Sequence, residues 1–123
     1  MDNKRNTDRR SVFYYLEILH GDTEEPLGRL GDISNEGIMI LKEDIIPAGE
    51  VFPVKIALPQ GFPGKENYLT VTVEARWSNQ DINPEIIRNG CKFVSTTHKD
   101  EEIIQDLITF YGFSDGHKQF KLS

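Results

Sequence analysis

A small, mostly β domain, an antiparallel barrel or sandwich with one helix at its C-terminal end, is the fold that this 123-residue sequence predicts. Three observations carry the expectation. Short runs rich in β-branched and aromatic residues recur at close spacing. Turn-forming Gly, Pro and Asn separate them. Only one stretch has helical rather than strand periodicity.

The elements follow in order. Residues 1–10, MDNKRNTDRR, hold nothing apolar beyond Met1 and read as a flexible arm. SVFYYLEIL (11–19) suits a strand by its β-branched and aromatic content. HGDTEE (20–25) is a turn around Gly21 and Asp22. PLGRLGDIS (26–34) resumes an extended pattern, with Leu27, Leu30 and Ile33 separated by small or polar residues. The turn SNEG leads into IMIL (38–41), and IIPAGE (45–50) is a loop. VFPVKIAL (51–58) alternates well enough for a strand, in which Pro53 marks an edge or a bulge. PQGFPGKEN (59–67) is a loop by its Pro and Gly content. YLTVTVEARW (68–77) alternates strictly and puts Leu69, Val71, Val73, Ala75 and Trp77 on one face. SNQDINPEIIRN (78–89) is a polar excursion before a last strand, GCKFVS (90–95).

The single helix is expected over about residues 98–111, where Ile103, Ile104, Leu107, Ile108 and Tyr111 share a face. Thr97 and Asp100 form a capping pair at its start. Acidic residues 100–102 suit the positive end of the helix dipole, and Gly112 suits the stop. The organisation is an arm over 1–10, one domain over 11–113 and a loose tail over 114–123.

A chain of this length can bury a core without disulfides or metals. No apolar run approaches the ~18 residues of a membrane span, and the N-terminus is polar and not leader-like, so neither membrane insertion nor a secretory leader is expected. Cys91 is the sole cysteine, which excludes an internal disulfide and makes the cytoplasm the default location. A formal net charge of −6 argues against coating a nucleic acid polymer or an anionic membrane. It leaves room for one small anion at a local positive patch.

Catalysis has little to stand on, and neither a catalytic residue nor a metal or cofactor is expected. His20, His98 and His117 fall in a turn, a helix start and the tail, without metal-ligand spacing. There is no GxSxG, P-loop or GxGxxG. Carboxylates gather in runs such as TEE and KDEE, where solvation accounts for them. Cys91 fits a small core residue better than a nucleophile, and Trp77 reads as packing at the core or its rim.

Two stretches remain. KRNTDRRS (4–11) concentrates Lys4, Arg5, Arg9 and Arg10 at the N-terminus of an acidic protein. DISNEG supplies Asp32, Ser34 and Gly37. A basic terminal arm is ordinarily just solvated, and Asp-x-Ser before Gly is ordinarily a hairpin with its polar turn. Together, ahead of a short-stranded β domain, they resemble the PilZ family. Its domains bind the bacterial second messenger cyclic di-GMP through RxxxR in an N-terminal loop and [D/N]xSxxG on the barrel. Arg5 and Arg9 match the first element, and Asp32, Ser34 and Gly37 match the second without a gap. Lys4 stands where many members carry a further Arg. GRLGDISNEGIMIL, EARW, NGCKF and the closing helix extend the likeness over roughly residues 4–113.

The resemblance implies a six-stranded antiparallel split barrel with a C-terminal α-helix. It further implies a receptor, not an enzyme, that binds cyclic di-GMP with Arg5, Arg9, Asp32, Ser34 and Gly37, joined by Lys4 and Arg10. The arm would order on the ligand, and the signal would pass to an unidentified protein partner. The residue types suit that chemistry. An Arg fork matches the O6/N7 edge of guanine, and its flat guanidinium also stacks on bases or holds phosphate. Asp32 can accept from the N1–H and N2–H₂ donors of guanine, Ser34 can donate or accept, and Gly37 permits a positive φ or a close backbone approach. Two other readings stand beside this one. An adaptor of the same fold would bind no nucleotide. A small barrel could stack single-stranded nucleic acid on Phe13, Tyr14 and Tyr15, but the net charge and the lack of a basic stripe disfavour it.

Overall fold

The computed structural model describes residues 16–111. Six strands form within them: β1 (Glu17–His20), β2 (Pro26–Ile33), β3 (Gly37–Lys42), β4 (Val51–Ala57), β5 (Tyr68–Gln80) and β6 (Ile87–Ser95). One helix follows, α1 (His98–Tyr111). Neighbouring strands all run antiparallel and close into a barrel in the order β1-β2-β3-β6-β5-β4. The expected arm with Lys4, Arg5, Arg9 and Arg10, the strand residues 11–15 and the tail lie outside the described residues.

Alternation builds the interior. Ile18, Leu30, Ile33, Ile38, Ile40, Val54, Ile56, Leu69 and Val73 are fully enclosed, with Val71, Ala75, Cys91 and Phe93 beside them. Cys91 is the core residue its neighbours predicted, and burial pushes its thiol up to about 12. Pro53 sits inside β4 without leaving a gap, because β1 ends at His20 opposite Val54. No amide is needed at residue 53, while its carbonyl accepts the Gly21 N–H at 2.8 Å.

The strand register shifts at four places, and two of these matter for the outer wall. Between Leu30 and Asp32 the β2–β3 register shifts, so that Leu30 pairs with Ile40 and Asp32 with Met39. Between Ala75 and Trp77 the β5–β6 register shifts, so that Ala75 pairs with Cys91 and Trp77 with Gly90. The expected face of β5 therefore holds from Leu69 to Ala75 and fails at Trp77, which the extra residue turns outward. β5 and β6 also run further than expected. Ser78, Asn79 and Gln80 pair with Asn89, Arg88 and Ile87 where a polar excursion was read.

Asn89, placed in that excursion by its polarity, is wholly buried. Its side-chain oxygen accepts the Ile46 N–H at 2.9 Å and the Ser78 hydroxyl at 2.6 Å. Its amide donates to the Ile40, Asp44 and Ile87 carbonyls. The side chain thus ties the β3–β4 loop to the barrel with every polar atom paired, which is what makes its burial tolerable.

α1 starts on a reciprocal cap. Thr97 Oγ1 accepts the Asp100 N–H at 3.0 Å, and Asp100 Oδ2 accepts the Thr97 N–H at 2.9 Å. Ile103, Ile104 and Leu107 bury the inner face, with Ile108 partly buried against the same core.

Candidate functional site

The bulges decide what the outer wall displays. Leu30 and Asp32 are two residues apart, and in an unbroken strand both side chains would point into the barrel. Gly31 is the extra residue. With it inserted, Leu30 and Ile33 both face inward and Asp32 faces out across from Met39. The bulge in β5 performs the same operation on Trp77. Met39 in turn pairs with Gly90, and Gly90 with Trp77. One outward row therefore crosses four strands: Asp32 on β2, Met39 on β3, Gly90 on β6 and Trp77 on β5. The next row reads Arg29, Leu41, Arg88 and Asn79. A carboxylate, an indole and two guanidinium groups thus share one wall.

Asp32 Oδ1 accepts the Ile33 N–H at 2.8 Å. Among the described residues no cation pairs with it. Burial, only partly offset by that hydrogen bond, pushes its carboxyl up to about 6. The group is a half-buried acceptor that a bound cation or N–H donor would stabilise in its ionised form. Ser34 is buried in the β2–β3 turn. Its N–H donates to the Gly37 carbonyl at 2.9 Å, and its hydroxyl oxygen accepts the Glu36 N–H at 3.1 Å. Its hydroxyl proton has no acceptor among the described residues. Gly37 opens β3 opposite Lys92 and does not take a positive φ, contrary to the conformational role its type permits.

Beside the Asp32 row runs an open cleft of about 1240 Å³. Gly31, Met39, Leu41 and Ile82 line it along with Arg29 and Arg88, and with the carboxylates of Glu17, Glu43, Asp44 and Asp81. Arg88 Nε lies 3.8 Å from Asp81 Oδ1 and is buried without a hydrogen-bond partner among the described residues.

The first described residues lie against the same strand. The Leu30 N–H donates to the Leu16 carbonyl at 2.9 Å, and Glu17 pairs with Arg29. Leu16 and Glu17 thus lie beside Leu30 and Arg29, on the strand that carries Asp32. Arg9 is seven residues from Leu16, a reach of up to about 25 Å. Asp32, Ser34 and Gly37 are thus brought together at one end of β2 and β3, while Lys4, Arg5, Arg9 and Arg10 lie outside the described residues. Trp77, Gly90, Arg29 and Arg88 were not singled out as site residues from the sequence.

A family model described as PilZ domain matches residues 3–110. Among solved structures, the chain is similar to the Bacillus subtilis inhibitor of motility MotI/DgrA, at 18% identity and a TM-score of 0.62, covering 76% of this chain and 45% of that one. It is also similar to the PilZ domain of YcgR from Escherichia coli, solved with c-di-GMP, at 17% identity and a TM-score of 0.52, covering 80% of this chain and 82% of that one. The chain thus spans less than half of the motility inhibitor's length. The curated proteins contain no match.

Proposed function

The chain belongs to the PilZ domain family, and on that premise we propose that it is a receptor for cyclic di-GMP. The observation that carries the reading is the bulge at Gly31. It turns Asp32 out onto the wall, on the strand whose Leu30 N–H bonds to Leu16, the first described residue after the RxxxR sequence. That placement supports a reading in which the two halves of the paired motif, far apart in sequence, face one ligand from two sides.

In this reading Asp32 accepts from the N1–H and N2–H₂ edge of one guanine. Arg5 and Arg9 take an O6/N7 edge or a phosphate, with Lys4 and Arg10 adding positive charge. Ser34 donates its remaining hydroxyl proton to the ligand, and Gly37 shapes the turn that presents it. Trp77 offers its ring to a base. The arm orders around the ligand and presents a new surface to a protein partner. This is receptor and adaptor work, with no bond made or broken.

Calorimetry on the full chain tests it, with cyclic di-GMP in one arm and an RNA oligomer in the other. Arg5→Ala and Arg9→Ala should each lose about 1–3 kcal/mol, roughly tenfold to a hundredfold in Kd, and Arg10→Ala less. A folded wild-type chain that takes up no cyclic di-GMP would instead be the adaptor that binds no nucleotide.

A further inference from the structure

Gly90 lies in the middle of β6 and does not take a positive φ, so its backbone conformation does not call for glycine. A glycine inside a strand is a local cost relative to alanine. The reason for it stands on the facing strand. A Cβ built at Gly90 would lie 2.3 Å from Cε2, 2.5 Å from Cζ2 and 2.7 Å from Nε1 of Trp77. These atoms are contiguous across the indole, so the ring lies over the glycine rather than beside it. Ordinary carbon contacts are about 3.5–4.0 Å, so any side chain here displaces the ring by about 1 Å or more. An indole has no flexible end to yield, and Trp77 is already placed by the adjoining bulge.

We propose that Gly90 is a positioning residue for the cyclic di-GMP site, acting through Trp77. It is the bare seat that lets the indole lie against the wall, level with Asp32, at the height where a base can stack on it. The inference rests on the receptor reading above and adds to it a residue that need not touch the ligand.

Trp77 is the sole tryptophan, so its emission reports the ring directly. The experiment compares wild type, Gly90→Ala, Trp77→Ala and the Trp77→Ala/Gly90→Ala double variant by calorimetry with cyclic di-GMP. Emission spectra of the ligand-free wild type and Gly90→Ala accompany it. The loss of one base–aromatic stack predicts a Kd raised about fivefold to a hundredfold for Trp77→Ala, and a similar rise for Gly90→Ala with a shifted emission maximum. In the Trp77→Ala background the Gly90→Ala change should have no further effect, because its only route to the ligand is gone. Should Gly90→Ala alone fail to fold, the two Trp77→Ala proteins, which hold no clash, still read that coupling. Wild-type affinity in Gly90→Ala or in Trp77→Ala overturns the proposal. So does a further loss above about threefold in the double variant, which would mean that Gly90 acts without Trp77. If wild type itself binds no cyclic di-GMP, the receptor reading fails first and this inference with it.

Discussion

Binding of cyclic di-GMP should weaken about tenfold as the pH falls from 8 to 5, and Asp32 should be the cause. Its carboxyl is pushed up to about 6 by burial, with one hydrogen bond from Ile33 pulling the other way. A ligand edge made only of N–H donors needs the ionised form. The complex holds the carboxylate charged, so the free-state value sets the profile. With a pKa of about 6 the apparent Kd rises about twofold at pH 6 and about tenfold at pH 5, whereas an ordinary aspartate would change it by less than about a tenth. Calorimetry at matched ionic strength from pH 5 to 8 reads this directly, with Asp32→Asn as the control. The amide of that variant can still accept from Ile33 but cannot titrate, so its weaker binding should be flat with pH. Stability runs the opposite way. A carboxyl with a raised folded-state pKa stabilises the fold fully below about 3.8, and that contribution is lost as the pH rises through about 6. Asp32→Asn should therefore melt at or above wild type at pH 7 and lose that advantage near pH 3. A wild-type affinity unchanged down to pH 5, or a titrating Asn variant, refutes the reasoning.

Three further outcomes concern the fold. Leu107 is fully buried under α1, so Leu107→Ala should cost about 2–5 kcal/mol in urea denaturation; a change of a few tenths would mean that the helix does not pack on the barrel. Asn89→Ala leaves the buried Ile46 N–H without its acceptor and should cost about 1–3 kcal/mol, with faster amide exchange at Ile46 as the local signature. Thr97→Ala removes half of the reciprocal cap and should cost about 0.5–2 kcal/mol, read as a lowered melting temperature with unchanged ligand affinity.

The strands were legible because one-sided burial writes a period of two into the sequence, and α1 because Ile103, Ile104 and Leu107 write a period near four. The bulges were legible only in part. In PLGRLGDI the spacing of three between Leu30 and Ile33, with a glycine inside it, is the trace of an inserted residue, since both side chains reach the core. No such trace exists in YLTVTVEARW, whose alternation continues unbroken through the bulge. Trp77 thus changed faces without warning. The ends of β5 and β6 were hidden for another reason. Ser78, Asn79 and Gln80 are held by their ladder to β6, which is itself paired to β3, so no apolar alternation marks them and they read as loop. Asn89 looked like surface because polarity is a guide to exposure only until a side chain finds partners for all of its atoms. The paired motif was visible as residues. What it lacked was direction, because whether Asp32 faces core or solvent depends on one inserted glycine.

β6 carries one more consequence, for how faithfully the chain assembles. Reading inward and outward by turns, it places Asn89, Cys91 and Phe93 inside and Gly90, Lys92 and Val94 outside. Sliding it by a single residue against β3 would thrust the Lys92 ammonium into the barrel and strip Asn89 of its five partners. The same slip would leave Phe93 in water and the Trp77 ring over a side chain instead of a bare backbone. Each of these errors is costly, and they arise together from one mistake. β6 lies between β3 and β5, so a slip would disturb both of its ladders at once. The strand beneath the indole is therefore also the one whose register the core, the Asn89 bonds and the outer wall fix together.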